Sequence, residues 1–507
     1  RQLAGSRIDL SAVNNQAGQL NVVALATDAG QVDLQGQIVG SSSGYYDAGG
    51  TWVPYKAAGV DIRAQRLAGD LSEAFASLNL RLNAGGVVGS RSFQFKQGNL
   101  RIGNELKAGQ VNVSVDNGNL TVDGVIDASG ERVGSIRLAG KNGLNLTGNA
   151  LLDAHGRVLR VDSYGKIIDA PNRAMVELNS GDGVLTLAAG ARIDLRHGTD
   201  AVPGNQAGQR DDVLRGTLEL NAPRLGGGDI AVDASGTLSI QGARSIGLNA
   251  VRSYSDAADG TDPAASGRPY QVIDQAYLDR IHSDSSGFID AALGNSDLLQ
   301  RKLAGLNNAT YADAFHLRPG VEIVSKTADG DLVVQGDLDL SGYRYASLNP
   351  HTRRTSVYGS GEAGSLLIRA GGNLDIYGSI NDGFAPPPET VDDAGWKLLP
   401  GIQPFGGDLI VPGSGVSLAE GTLFPVGATL NYDLPIQAAT LAAGTVLPVQ
   451  STLAAPYVLQ GGTVLAGDVH DAAGNLMYAA GTLLDNAVTL PAGSRLGAGI
   501  RLNNATA

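Results

Sequence analysis

Five residues in a short Gly- and Ser-rich stretch, Tyr45, Tyr46, Asp47, Trp52 and Tyr55, have the types and spacing to do recognition chemistry. Exposed aromatic rings present flat apolar faces with polar handles and stack on the faces of sugar rings. Asp47 adds an acceptor for hydroxyls and Lys56 a positive charge, and the stretch holds one of the chain's two Trp residues. These five are the expected ligand-binding residues. The competing reading is a loop whose rings pack against the neighbouring scaffold. Tyr343, Tyr345 and Tyr358 form a looser aromatic group.

Sequence matches to covalent or cofactor chemistry fail on context. Gly359-Ser-Gly361-Glu-Ala-Gly364 spells a dinucleotide fingerprint, but the following Ser365-Leu-Leu-Ile-Arg reads as a strand where that motif needs a helix. Gly40-Ser-Ser42-Ser-Gly44 spells a nucleophile elbow, yet polar Gly-rich chain follows instead of a helix. Paired carboxylates of the kind that cleave acidic polysaccharides would need an Asp-Asp pair followed by His-Gly. Here His197-Gly198 precedes Asp211-Asp212, and Asp392-Asp393 has no His-Gly after it. Asp256, Asp259 and Asp262 offer oxygen ligands in one loop, without the tandem Gly- and Asp-rich repeat of calcium-binding rolls. There is no Cys, and the six His are scattered. The expectation is no catalytic residue, no metal site and no cofactor.

The elements that must carry these residues follow from composition and pattern. Gly is 71 of 507 residues, apolar types make up 43%, and the net charge is −13. The acidic balance excludes the positive field that nucleic acid requires. No run reaches the roughly 18 apolar residues of a membrane-spanning helix. The start, Arg1-Gln2-Leu3-Ala4-Gly5, lacks Met and is no signal peptide, so it reads as an internal piece or a processed product.

One phrase recurs: Gly, then alternating polar and aliphatic residues, then Gly. It appears at Gly30–Gly36, Gly118–Gly124, Gly143–Gly148, Gly236–Gly242, Gly330–Gly336 and Gly372–Gly378. Alternation with period two is the signature of a strand with one buried face. Copies come with partner strands such as Ser135-Ile-Arg-Leu-Ala-Gly140, giving coils of about 20–25 residues whose faces are buried only by stacking. The fold expected is all-β, a right-handed parallel β-helix, with Leu120, Val122, Leu144, Leu146, Leu238, Ile240, Leu332, Val334, Leu374 and Ile376 facing one lumen.

The spacing changes to that of a helix over 271–305, and this predicts a helical insertion. Its buried positions would be Ile273, Tyr277, Ile281, Leu293, Leu299 and Leu303. It is expected to lean on the shaft and to be removable over 256–312. After residue 401 charge nearly disappears, and Gly421-Thr-Leu, Gly444-Thr-Val, Gly462-Thr-Val and Gly481-Thr-Leu set a new repeat. The expected organisation is a shaft over 1–255, the insertion over 256–316, a continuation over 317–400, and a low-charge β-repeat module with its own coil period over 401–507.

The phrases from Leu317-Arg-Pro-Gly320 through Gly330-Asp-Leu-Val-Val-Gln-Gly336 and Leu366-Leu-Ile-Arg-Ala370 to Gly378-Ser-Ile-Asn-Asp382-Gly383-Phe384 resemble the filamentous haemagglutinin family of two-partner-secreted exoproteins. The resemblance covers roughly residues 110–400. It implies secretion through a dedicated outer-membrane transporter and a location at the Gram-negative cell surface. It also implies work as an adhesin or biofilm matrix protein, with a glycan or surface receptor as partner. Lack of Cys suits a chain threaded unfolded through a pore. A contact-dependent toxin-delivery stalk is the alternative function, and a β-helix polysaccharide-degrading enzyme the third.

Overall fold

In the strand Gln110–Val115 the alternation puts Val111, Val113 and Val115 on one buried face. The same rule, repeated from strand to strand, builds the long sheet. Val113 lies beside Phe93 on one side and Leu138 on the other. The row continues from Leu138 through Leu178, Leu220 and Leu248 to Leu317. Each residue therefore meets its equivalent one turn of chain away, and burial is supplied by stacking rather than within a turn.

The computed structural model describes residues 1–27, 29–46, 52–53, 55–159, 172–198, 214–260, 269–348, 361–382, 397–398, 417–418, 441–447 and 450–506. Two compact units are present, Arg1–Gly406 with Pro412–Pro425, and Gly407–Val411 with Val426–Ala507. Strands predominate in the first. An eleven-stranded sheet runs from Gln19–Ala24 to Ser365–Arg369, and the ten strands along its path are all parallel. A second parallel sheet stacks Leu100–Ile102, Leu120–Val122, Leu144–Leu146, Leu185–Leu187 and Val232–Asp233. A third stacks Val125–Asp127, Leu151–Asp153, Arg192–Asp194 and Ser239–Gln241. The chain visits the three sheets in turn, and their apolar faces meet in one core.

Of the ten residues expected to face one lumen, Leu120, Val122, Leu144, Leu146, Leu238 and Ile240 lie in that core, whereas Leu332 and Val334 are buried in a second, separate cluster. Leu374 and Ile376 are not buried; they are 39% and 50% exposed. They pair inward with Leu332 and Val334, but among the described residues no strand pairs the outer edge of Leu374–Tyr377. Among the described residues this edge lacks the neighbour that buries the inner levels.

A helix the sequence reading did not identify, α1 (Leu71–Ala84), lies against the early coils. Asp70 caps it by accepting from the Ser72 and Glu73 amides, both at 3.0 Å. Leu71, Phe75, Leu78 and Leu82 form its buried stripe, and Phe75 meets Phe93 edge-on at 5.0 Å.

The second helix, α2 (Gln275–Leu293), is capped by Asp274, which accepts from the Tyr277 amide. The expected helical span began at 271, but Tyr270–Ile273 is a strand, parallel to Asp331–Gln335. The segment does not merely lean on the stack. Ile289, Ala292, Leu298, Leu303, Leu306 and Tyr311 belong to the main core, and the Tyr311 hydroxyl accepts from the Ile240 amide and donates to the Leu238 carbonyl. Ile273, Tyr277, Leu278 and Ile281 join Ile323, Leu332 and Val334 in a second cluster. Leu293 and Leu299 are half-buried. The expectation of a removable insertion is corrected: deletion over 256–312 would take out a paired strand and part of both cores.

In the second unit the pairing is antiparallel, as in Tyr457–Leu459 with Val488–Leu490 and Val469–His470 with Leu476–Tyr478, in place of stacked parallel coils. The repeat glycines Gly444, Gly462 and Gly481 all take a positive φ, so the recurring Gly-Thr marks tight turns, each followed by a single antiparallel bridge at Val446, Val464 and Leu483.

Candidate functional site

The candidate residues near the amino terminus lie on a small hairpin. Tyr45–Tyr46 pairs antiparallel with Trp52–Val53, Tyr45 opposite Val53 and Tyr46 opposite Trp52. The chain still pairs with the preceding turn at Ser42, opposite Ala12, before the hairpin, and joins the long sheet at Gly59–Ala64. The Tyr45 and Tyr55 rings meet at a centroid distance of 5.4 Å, inclined by 30°. Tyr45 remains 39% exposed. The structure thus brings Tyr45 and Tyr55 together and sets the backbones of Tyr46 and Trp52 opposite one another. Asp47 lies outside the described residues.

Tyr55 also forms one end of a groove of about 650 Å³ that the sequence reading missed. Its wall takes Lys56 from the same turn, Lys107 and Gln110 from a later one, Asp127, Ser129, Glu131 and Arg132 from the next, and Arg173 beyond. These side chains are far apart in the chain and meet only because the turns stack in register. The sole local signal was Asp127-Ala-Ser129-Gly130, a turn motif at the end of a third-sheet strand.

The groove is firmly built. Asp127 accepts from the Ser129 hydroxyl at 2.6 Å and the Ser129 amide at 3.1 Å, and Lys107 Nζ lies 2.9 Å from its other oxygen. Burial raises the Asp127 pKa, but the bonds from Ser129 and Lys107 outweigh it, and the carboxyl sits below its ordinary value. It is therefore an anion at neutral pH. The floor is tied by backbone bonds between turns, Ala108 N to Asp127 O at 3.0 Å and Gly134 N to Ala154 O at 2.9 Å.

Other candidate groups are accounted for by protein partners. Asp256 binds Arg280 and the Tyr277 hydroxyl, and Asp259 lies 3.3 Å from Lys326; Asp262 is outside the described residues. Asp153, His155 and Asp194 bring ligand atoms within 4.8 Å of one another. Within that group Asp153 contacts His155 Nδ1 at 2.5 Å, while Asp194 is held by Arg196 at 2.5 Å. His197 is buried, and Asp211, Asp212, Asp392 and Asp393 lie outside the described residues. Ser365–Arg369, after the Gly359–Gly364 run, is a parallel strand of the long sheet.

Tyr343 and Tyr345 stand elsewhere, against His282 of α2. The His282 and Tyr343 rings stack at 4.4 Å and 6°, beside a cavity of about 400 Å³ with largely aliphatic walls. Tyr358 lies outside the described residues. No protein-family model, no curated protein and no solved structure matches this chain.

Proposed function

We propose that this chain is a non-catalytic rigid shaft of a secreted cell-surface adhesin or biofilm matrix protein, and that its stacked strands form a right-handed parallel β-helix. The observation that supports the reading is the continuous parallel pairing of the long sheet: its ten path strands pair in parallel from Gln19–Ala24 to Ser365–Arg369, with one register shift at Gly216–Thr217. A chain built this way is extended by repetition and holds surface features at fixed spacing. The hairpin carrying Tyr45, Tyr46 and Trp52, with Tyr55 beside it, is the proposed contact for a glycan or surface receptor. Passage through an outer-membrane transporter and display on a Gram-negative surface belong to the same proposal. They rest on the resemblance of the repeat phrases.

A glycan array tests it, comparing the full chain with a variant lacking residues 41–56. The reading expects binding to be lost in the deletion while thermal unfolding is nearly unchanged. Equal binding by both would remove the hairpin from the account. Turnover of a polysaccharide by the full chain would remove the non-catalytic shaft.

A further inference from the structure

We infer that the groove beginning at Tyr55 binds an acidic polysaccharide, a chain of sugars bearing carboxylates, along the stacked turns. The inference rests on the adhesive reading above and specifies its ligand. Three observations converge on it.

The first is charge. The groove gathers Lys56, Lys107, Arg132 and Arg173 against Asp127 and Glu131, on a chain whose net charge is −13. A local cationic excess on an acidic molecule focuses an anion there. Lys107 is spent on Asp127. Lys56 and Arg132 are exposed at the groove wall and supply the outward-facing charge.

The second is the mixture of acceptors and donors. Asp127 and Glu131 would repel a polyacidic peptide, which has few hydroxyl donors to offer them. A uronic acid chain has both functions on each ring: carboxylates for the cations and hydroxyls that donate to Asp127 and Glu131. Tyr55, in ring contact with Tyr45, gives the apolar face of a sugar a stacking platform at one end.

The third is length. The groove crosses the starts of five successive long-sheet strands, from the turn before Gly59 to the one before Met175. Four steps of about 4.8 Å give roughly 19 Å. That span suits an oligomer better than a single ring. Backbone bonds between turns fix the spacing, so little is lost in ordering the site on binding.

The probes are short oligogalacturonates, their neutral methyl esters and oligoglutamate, titrated against the full chain by calorimetry. Assayed beside wild type are Lys56→Glu with Arg132→Glu, and Tyr55→Ala. The expected result is that the free acid binds and the ester binds about tenfold more weakly. The charge-reversed variant should lose that preference, and added salt should weaken acid binding. Tyr55→Ala should weaken acid and ester alike. Because Lys56 and Arg132 are exposed, unchanged thermal unfolding of their variant excludes misfolding as the cause. Equal affinity for acid and ester, with binding still lost in Tyr55→Ala, overturns the charge assignment and leaves the adhesive reading standing. Equal or tighter binding of oligoglutamate overturns the sugar assignment. Release of unsaturated or shortened products overturns both. Binding of none of these probes overturns this inference, and the glycan array then decides the adhesive reading by itself.

Discussion

Arg91 occupies a row whose other members are Leu20, Val60, Val111, Ile136, Val176, Leu218, Ile246 and Phe315. It is 1% exposed, and its guanidinium is held by amide oxygens rather than by a carboxylate. Instead it donates to Asn79 Oδ1 at 2.9 Å, Asn83 Oδ1 at 2.7 Å and the Val87 carbonyl, which ties the end of α1 to the sheet. Burial pulls its pKa down to about 10, so it stays charged at neutral pH. Replacing a buried ion with a hydrophobe is often neutral. Here Arg91→Leu would make the row uniformly apolar but orphan three oxygens, each costing about 1–3 kcal/mol when left unpaired. We expect a net loss of about 3 kcal/mol, read as a lower urea midpoint by circular dichroism. A neutral or stabilised Arg91→Leu protein would show that the row, not the capping of α1, sets the energy. The aliphatic positions were legible because period-two alternation fixes their face. Arg91 was not, since an Arg inside an alternating strand carries no sign of the helix that will cover it. α1 does carry sequence signals of its own, the Asp70 cap and the 71, 75, 78, 82 spacing, set among period-two strand phrases on both sides.

At the scale of elements, one acid of α2 gathers three donors from the sheet. Asp284 receives Arg224 at 3.3 Å, Arg252 at 3.0 Å and the Tyr254 hydroxyl. The Arg224 side chain is buried and also holds the Ala250 and Gly320 carbonyls. Asp284→Ala leaves that cation without its carboxylate; because the acid is 38% exposed and solvent screens the pair, the cost is about 1–3 kcal/mol, below that of a fully buried pair. Amide exchange along Gln275–Leu293 should accelerate while Gln110–Val115 keeps its protection, because distant turns share no contacts. Uniform acceleration across both would contradict local anchoring. The same region carries a pH signature. Burial, and after it the bond to Asp279, raises Tyr343; burial raises Tyr345 to about 12; burial and then Asp256 raise Tyr277. An acid whose folded pKa is raised contributes stability that is present below its unfolded value near 10 and lost as pH climbs through the folded value. Stability should therefore be flat from neutral to about pH 10 and fall above it, with tyrosinate absorbance appearing late. Early, ordinary ionisation of all tyrosines would contradict the packing of α2.

At the scale of the molecule, stacking decides what the sequence could and could not disclose. The repeat phrase revealed strands and their buried faces, because each copy carries its own alternation. It did not reveal the groove, whose members come from turns tens of residues apart, nor the end exposure of Leu374 and Ile376, which depends on what lies beyond them. The integration of α2 was hidden for a similar reason: a change of period signals a helix but not which core the helix completes. Deletion of 256–312 removes Tyr270–Ile273 from its sheet and Tyr311 from Leu238 and Ile240. We expect it to lower the far-UV β signal and expose the neighbouring turns to proteolysis, while a deletion of 41–56 does neither. A 256–312 deletion that retained the full β signal would restore the view of a detachable insertion.

The most direct test of the central claim joins binding and chemistry in one sample. The full chain and a Tyr45→Ala, Tyr46→Ala, Trp52→Ala variant are incubated with glycan-coated beads and with cells, and retention and polysaccharide products are measured together. A non-catalytic adhesive shaft predicts saturable retention of the wild type, loss of retention in the variant with nearly unchanged thermal unfolding, and no product in either. Undiminished retention of the variant, or products formed by the wild type, would contradict it.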